Sequence, residues 1–273
     1  MTDARTMDFA KMHGLGNDFV VIDARQSGLV LDTADVRHIA DRHRGVGCDQ
    51  LILLRDSARA DVFMEIHNAD GSRVGACGNA TRCIGAKLTA ETGRDRITIE
   101  TDAGLLSAER TADGIRVDMG RPRLDWDAIP LARPMDTAHM DLTVGLLNDG
   151  VAVNLGNPHI VFFPGAEAGI DLARLGPLVE HDALFPERVN VSIATLAGPD
   201  HLRLGVWERG AGITQACGTA ACAAAVAAHR RGLTGRRVAV DLDGGRLDIT
   251  LEDTGHVSMT GPATHVFDGR IVL

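Results

Sequence analysis

The pattern of hydrophobic and polar residues predicts short strands and two helices that occur twice in the same order. Apolar β-branched and aromatic residues dominate residues 18–22 and 160–163, and alternation follows in residues 96–100 and 237–241. Turns containing glycine separate these runs. The chain is therefore predicted to be an α+β protein with mainly antiparallel strands.

Two longer segments have the composition of helices. Residues 79–91 are rich in helix-forming residues and end before Gly93, which is a typical stop signal. Residues 219–231 are rich in alanine and end before Gly232. Because alanine side chains are small, we expect a sheet to wrap closely around this second helix.

Short motifs from the first half of the chain recur in the second half. Leu15-Gly16-Asn17 recurs as Leu155-Gly156-Asn157, and Ala76-Cys77-Gly78 recurs as Ala216-Cys217-Gly218. Both pairs are separated by 140 positions (217 − 77). The same spacing matches further polar positions, namely Gln50 with Asn190 and Asn68 with Glu208. Since several matches share one spacing, we interpret the chain as an internal repeat.

The repeat predicts two pseudo-symmetric lobes, each a mainly antiparallel β-sheet or barrel wrapped around a central α-helix. We place the N-terminal lobe at residues 1–122 and the C-terminal lobe at residues 123–262, because Pro and Asp cluster near this boundary. Residues 263–273 lie beyond the second repeat and are expected to return to the first lobe as a strand. An active site is expected between the lobes.

Composition excludes several classes of protein. The chain has 273 residues, 45% of them hydrophobic, and a formal net charge of −9, which disfavours a nucleic-acid partner. Its first residues lack the apolar run of a signal peptide, and no segment approaches the about 18 uninterrupted apolar residues of a membrane span. A cytoplasmic protein is therefore expected, with its five cysteines as reduced thiols.

Cys77 and Cys217 each stand directly before a predicted helix. Unpaired backbone N–H groups and the positive end of the helix dipole favour a thiolate there and can hold a carboxylate. Two such starts facing each other would place a thiol on either side of one carbon. This arrangement suits inversion at the α-carbon of an amino acid, with one thiol as base and the other as acid.

The other potential chemistry in the sequence is weaker. Cys48, Cys83 and Cys222 lie in apolar stretches and are expected to be packing residues. The cysteine spacing does not match a structural zinc site, and no lysine stands in a recognisable pyridoxal-phosphate context. Neither a metal nor an organic cofactor is therefore expected.

Several long motifs are distributed along the whole chain. In the first half they are KMHGLGNDF (11–19), GVGCDQ (45–50), NADGS (68–72) and CGNATRC (77–83). In the second half they are GNPH (156–159), VNV (189–191), WERG (207–210) and ACGT (216–219). Together they resemble the motifs of the diaminopimelate epimerases. The resemblance implies a cofactor-independent isomerase that converts LL-2,6-diaminopimelate to meso-diaminopimelate in lysine and peptidoglycan precursor biosynthesis.

The resemblance also implies roles for individual residues. Cys77 and Cys217 would be the base and the acid, while His159 and Glu208 would keep the two thiols at the required protonation. The backbone N–H groups that would hold the reacting carboxylate belong to Gly78, Asn79, Gly218 and Thr219. The residues that would bind the rest of the substrate are Asn17, Gln50, Asn68, Asn157, Asn190, Glu208 and Arg209.

Members of that family form homodimers with an aromatic residue, commonly Tyr, close to the C-terminus at the contact. This chain contains no Tyr and carries Phe267 at that place. A homodimer is therefore expected, without a phenolic hydrogen bond at this position. The expected partners are thus the small-molecule substrate and a second copy of the chain, with no nucleic acid and no membrane.

Two alternatives remain open at this point. A proline-racemase-like enzyme would share the two-thiol mechanism and the fold, but its substrate has no distal ammonium and carboxylate to be recognised. A phenazine-biosynthesis-type isomerase or a non-catalytic amino-acid-binding relative would have no reason to keep both cysteines. The presence of both thiols and of Glu208-Arg209 favours the epimerase.

Overall fold

The computed structural model describes residues 5–165 and 169–273. It divides into two compact units, one formed by the described residues up to Val117 together with Gly261–Leu273, and the other by those within Asp118–Thr260. Residues 1–4, part of the segment examined for a signal peptide, lie outside the described residues. The expected relation of two lobes by pseudo-symmetry stays a prediction.

The first unit contains eight strands and two helices before its last strand. In chain order they are β1 (Thr6–Gly14), β2 (Asn17–Asp23), α1 (Thr33–Ala40), β3 (Gln50–Arg55), β4 (Val62–Asn68), β5 (Arg73–Val74), α2 (Gly78–Thr92), β6 (Arg96–Thr101), β7 (Gly104–Thr111) and β8 (Gly114–Asp118). Strands β2 and β3 are parallel, as are β4 and β6. The remaining neighbours β1–β2, β3–β4, β4–β5, β6–β7 and β7–β8 are antiparallel.

The second unit repeats this order after one additional strand at its start. Its elements are β9 (Met140–Val144), β10 (Leu147–Asn154), β11 (Pro158–Phe162), α3 (Leu172–Glu180), β12 (Asn190–Gly198), β13 (His201–Glu208), β14 (Gly212–Ile213), α4 (Gly218–Arg230), β15 (Arg237–Leu242), β16 (Gly245–Leu251) and β17 (Val257–Gly261). The parallel pairs are β11–β12 and β13–β15, the counterparts of β2–β3 and β4–β6. The α+β class predicted from the sequence is confirmed.

The repeat extends to the register of the strands. In the first unit Phe19 on β2 lies opposite Gln50 on β3, and in the second unit His159 on β11 lies opposite Asn190 on β12. These positions are the ones that the sequence spacing pairs. The duplication read from the sequence is therefore also a duplication of backbone structure.

The last strand, β18 (Thr264–Val272), pairs antiparallel with β1. The pairing runs from Thr6 opposite Val272 to His13 opposite Thr264. The end of the chain thereby completes the sheet of the first unit.

Helices α2 and α4 are the most buried helices of their units. Residues 220–228 of α4 are all buried, and small side chains permit this because strands can approach the helix closely. In α2 the close approach occurs at Gly85, where a Cβ would lie 2.5 Å from the Cβ of Ala108 on β7. Gly93 ends α2, as the sequence predicted, and it has the left-handed conformation.

Among the described residues, no helix is both long and apolar enough to span a membrane.

Candidate active site

Cys77 is the residue that precedes helix α2 in the first unit. Its backbone is extended, the helix begins at Gly78, and the Sγ atom accepts a hydrogen bond from the N–H of Ala80 at 3.5 Å. The thiol is half-buried. Because the first N–H groups of a helix have no partner within it, this position favours negative charge on the sulfur or on a bound ligand.

Asn17, at the start of β2, contacts the same helix start. Its Oδ1 atom lies 3.9 Å from the Sγ of Cys77 and accepts a hydrogen bond from Nδ2 of Asn79 at 3.2 Å. Its own Nδ2 donates to Oδ2 of Asp49 at 3.0 Å. Asp49 therefore orients the amide so that the oxygen of Asn17 faces the thiol. With the N–H of Ala80 on one side and this oxygen on the other, both protonation states of Cys77 have a partner.

Asp49, which orients Asn17, belongs to a network of charged side chains. Lys11, almost fully buried, donates to Oδ2 of Asp18 at 2.5 Å and to the carbonyl of Gly47. Arg42 bridges Asp18 and Asp49 with bonds of 2.6 and 2.9 Å. Burial raises the pKa of Asp18, but hydrogen bonds from Arg42 and Lys11 outweigh it and hold the pKa well below its usual range. Asp18 therefore stays ionised and keeps this network together.

Gln50 and Asn68 form a second polar pair in the first unit. They lie opposite each other on β3 and β4, and Nε2 of Gln50 donates to Oδ1 of Asn68 at 3.0 Å. Nδ2 of Asn68 donates to Oγ of Ser72 at 3.1 Å. Oε1 of Gln50 is buried and has no hydrogen-bond partner among the described residues. This oxygen can accept a hydrogen bond from a ligand.

Cys217 precedes helix α4 in the second unit, and it is more deeply buried than Cys77. Burial and then the charge of Glu208 raise the pKa of Cys217 well above its usual range, and the hydrogen bond with the Thr219 hydroxyl at 3.4 Å opposes this only in part. The sequence led us to expect that a helix start favours the thiolate. At Cys217 burial and the carboxylate outweigh the helix start, so the group is a neutral thiol.

Glu208, at the end of β13, is the carboxylate that acts on Cys217. Its Oε1 atom accepts a hydrogen bond from the hydroxyl of Thr214 at 2.5 Å, across the hairpin formed by β13 and β14. The bond fixes the carboxylate on the side of the hairpin where Thr214 lies. Glu208 therefore stabilises the protonated form of the thiol.

His159 on β11 is fully buried, and its Nε2 atom lies 2.9 Å from Oδ1 of Asn157. Burial and then the positive charge of Arg209 lower the pKa of His159 to about 3. The ring is therefore neutral at physiological pH. Because Oδ1 of Asn157 only accepts hydrogen bonds, Nε2 carries the hydrogen. Nδ1 is then an acceptor, and it has no partner among the described residues.

Asn190 and Arg209 complete the predicted set in the second unit. Nδ2 of Asn190 donates to the carbonyl of Pro158, and Oδ1 accepts from the backbone N–H of Arg209, both at 2.9 Å. The guanidinium of Arg209 is exposed and donates to the carbonyl of Glu187 at 2.8 Å. The side chain of Arg209 is thus held at the surface of its unit by a single backbone acceptor.

Equivalent asparagines have opposite orientations in the two repeats. Asn17 donates to Asp49 and turns its oxygen towards Cys77, whereas Asn157 accepts from His159 through its oxygen. The sequence explains the difference, because Val189 stands in the second repeat where the first has Asp49. The duplicated halves therefore offer different hydrogen-bonding groups to a ligand.

The structure thus forms one polar group in each unit. Asn17, Cys77 and Asn79 lie together in the first unit, and Cys217, Glu208 and Thr219 lie together in the second. That the two groups face each other stays a prediction. Asp49 is not among the site residues predicted from the sequence, although it stands next to Gln50 in the motif GVGCDQ. Among the described residues, no cluster of three or more His, Cys, Asp or Glu side chains could hold a metal ion.

Replacing Glu208 by Gln should lower the pKa of Cys217, because the negative charge that stabilises the protonated thiol is removed. This change is measured by the rate at which iodoacetamide alkylates Cys217, followed by peptide mass spectrometry. The measurement covers about pH 6–10, roughly the span in which thiols titrate. The matched variant Thr219→Val removes a group that stabilises the thiolate, so the pKa should rise. Equal alkylation profiles for all three proteins would contradict this view of the Cys217 environment.

Known proteins resemble this chain along most of its length. The family described as diaminopimelate epimerase matches residues 9–124 and 151–266, one stretch for each repeat. A diaminopimelate epimerase from Rhodospirillum centenum is 54% identical, with 96% of this chain and 91% of that protein aligned. One from Acidiphilium cryptum is 53% identical, with 98% and 97% aligned.

Solved structures show the same fold at much lower identity. A phenazine biosynthesis protein of the PhzF family from Bacillus anthracis superimposes with a TM-score of 0.69 and 18% identity, covering 98% of this chain and all of that one. At this identity the likeness concerns the fold alone. The match of both repeats, together with the full-length sequence relatives, shows that the chain belongs to the diaminopimelate epimerase family.

Proposed function

We propose that this protein is an isomerase that interconverts LL- and meso-2,6-diaminopimelate by inverting one α-carbon. The observation that carries the proposal is the pair of cysteines at equivalent helix starts, one half-buried beside a backbone N–H and one buried beside a carboxylate. Membership of the diaminopimelate epimerase family supports the substrate. The reaction belongs to lysine biosynthesis.

The two thiols have different roles in the forward reaction. Cys77 removes the α-proton from one face of the substrate carbon, and Cys217 donates its proton to the opposite face. The enzyme is then left with a thiol at Cys77 and a thiolate at Cys217, so the reverse reaction uses the same residues with exchanged roles. Glu208 and burial hold the proton on Cys217 until it is needed. Both transfers use protein thiols, so the proposed reaction needs no cofactor.

The α-hydrogen of an amino acid is weakly acidic, so the charge that develops on the substrate carboxylate must be stabilised. Helices α2 and α4 begin at Gly78 and Gly218, and the N–H groups of their first turns, at Gly78, Asn79, Gly218 and Thr219, are directed out of the helix start. We propose that they hold this carboxylate. Fixed dipoles aimed at developing charge are an effective way to lower such a barrier.

The remaining polar residues suit a long, doubly zwitterionic substrate. The guanidinium of Arg209 can bind a distal carboxylate in a bidentate manner, and amide groups can bind the distal ammonium or carboxylate. The amides proposed to do so belong to Asn17, Gln50, Asn68, Asn157 and Asn190. A proline-racemase-like activity is not favoured, because the full-length relatives that share about half of the residues are diaminopimelate epimerases.

A cytoplasmic location fits this chemistry. All five cysteines are thiols rather than disulfide partners in the structure. Both proposed catalytic thiols have to remain reduced, and reducing compartments maintain free thiols. We therefore propose that the enzyme works in the cytoplasm.

Incubation of the pure protein with meso-diaminopimelate in deuterated water tests the activity. We expect formation of the LL isomer with one deuterium at the inverted α-carbon, because the acid that returns the proton exchanges with solvent. Chromatographic separation of the isomers with mass spectrometry measures both. EDTA and hydroxylamine should leave the rate unchanged. Racemisation of proline without conversion of meso-diaminopimelate would contradict the proposal.

We also propose that two copies associate through β18. Strand β18 exposes the apolar side chains of Val266, Phe267 and Val272. The ring of Phe267 lies edge-on to Phe9 of the same chain, with 5.9 Å between the ring centroids, which fixes its direction. A rigid apolar surface of this kind is suited to a partner surface.

Replacing Phe267 by Asp should shift the protein towards the monomer, because a charge would be buried at the contact. Size-exclusion chromatography with light scattering measures the mass. Leu178→Asp is the matched control, since Leu178 is also an exposed apolar residue but lies on α3. A dimer that survives Phe267→Asp and dissociates with Leu178→Asp would place the interface elsewhere.

A further inference from the structure

Glu180 is a buried carboxylate that has no role in the proposed reaction. It is the last residue of α3 and is only 2% exposed. The C-terminus of a helix carries partial negative charge, so a buried carboxylate there is unfavourable unless other groups compensate. The compensating contacts identify its role.

Two N–H donors from one hairpin point at Glu180. The indole Nε1 of Trp207 donates to Oε2 at 2.7 Å, and the backbone N–H of Gly210 donates to Oε1 at 3.0 Å. These donors lie on either side of Glu208 and Arg209 in the chain. One carboxylate therefore holds both sides of the hairpin tip that carries these two residues.

Other hydrogen bonds also restrain the hairpin, since the N–H of Arg209 donates to Oδ1 of Asn190 and the hydroxyl of Thr214 donates to Oε1 of Glu208. Strand β14 has only two residues, which pair with Trp207 and Glu208 on β13. Helix α3, in contrast, is fixed, because Leu175 and Val179 lie in the core of the second unit. Contact between helix and hairpin is close, since a Cβ at Gly176 would lie 2.6 Å from Cγ of Trp207. The carboxylate thus connects this short hairpin to a rigid helix through donors on both sides of the tip.

The first repeat holds the same position by a different side chain. Asp70 is the counterpart of Gly210, and its backbone carbonyl accepts a hydrogen bond from Nε of Arg37 on α1 at 2.7 Å. In both repeats a side chain of the preceding helix therefore binds the backbone at the hairpin tip. Because the two repeats make this contact with different side chains, the agreement indicates a constraint on the tip itself.

We infer that Glu180 is a positioning residue that fixes the Glu208–Arg209 tip, so that the carboxylate of Glu208 stays beside the Cys217 thiol and Arg209 stays in place for the distal carboxylate. The part that concerns Arg209 rests on the proposed function. A carboxylate suits the role because its partners are all donors, including the guanidinium of Arg188, whose Nη1 lies 3.9 Å from Oε1. A glutamine of the same size would turn its own NH2 group towards one of them.

The variant Glu180→Gln tests this role through two measurements. Displacement of Glu208 should lower the pKa of Cys217, measured as the pH dependence of its alkylation by iodoacetamide. KM for meso-diaminopimelate should rise about tenfold, the size expected when one buried hydrogen bond is lost. The matched control Asp171→Asn removes a charge from the N-cap of the same helix while retaining a capping side chain, and it should change neither quantity.

Trp207→Phe is the second variant, which removes one donor and keeps the ring against Gly176. It should shift the pKa of Cys217 in the same direction by a smaller amount, and it decides the question if Glu180→Gln does not fold. A folded Glu180→Gln protein with unchanged alkylation and unchanged KM would overturn the inference, even if its melting temperature fell. A wild-type protein without epimerase activity would refute the proposed function, while the alkylation profiles would still test Glu180.

Discussion

The proposed chemistry depends on the N–H groups at the first turns of α2 and α4, which are directed out of the helix start. A cysteine stands directly before each of these turns, so each helix start offers a thiol together with backbone donors. Both helices are buried among the strands of their units, which fixes the direction of the donors. The small residues of α4 allow this burial, because strands can approach the helix closely.

Equivalent positions in the repeats do not give equivalent thiols. A helix dipole contributes about 0.3–1 kcal/mol at an exposed site, whereas full burial can shift a pKa by up to about 3–5 units. At Cys217 burial and the charge of Glu208 therefore outweigh the helix start. Cys77 is less buried and has both a donor and an acceptor within reach. A reaction that needs one acid and one base benefits from this difference.

The sequence predicted the features that depend on local pattern. Both central helices, the strands around them and the internal repeat follow from periodicity, stop glycines and spacing, and the structure contains them. Residues that act through the fold were harder to predict. Asp49 orients Asn17 from the end of another segment, and Glu180 reaches a hairpin about 30 residues further along the chain. No periodicity indicates such contacts, although a glutamate that ends an amphipathic helix opposes the dipole and is an unusual choice.

The account is tested most directly by α-proton exchange in Cys77→Ser and Cys217→Ser. Serine keeps the size of cysteine but is too weak an acid to act as the base near neutral pH. Each variant retains one thiol, so in deuterated water one should label chiefly the LL isomer and the other chiefly the D-centre of the meso isomer, both slowly and without inversion. Because the pKa of Cys217 is raised, exchange by Cys77→Ser should require the higher pH. If one substitution abolished all exchange and the other left epimerisation intact, the two-thiol account would be wrong.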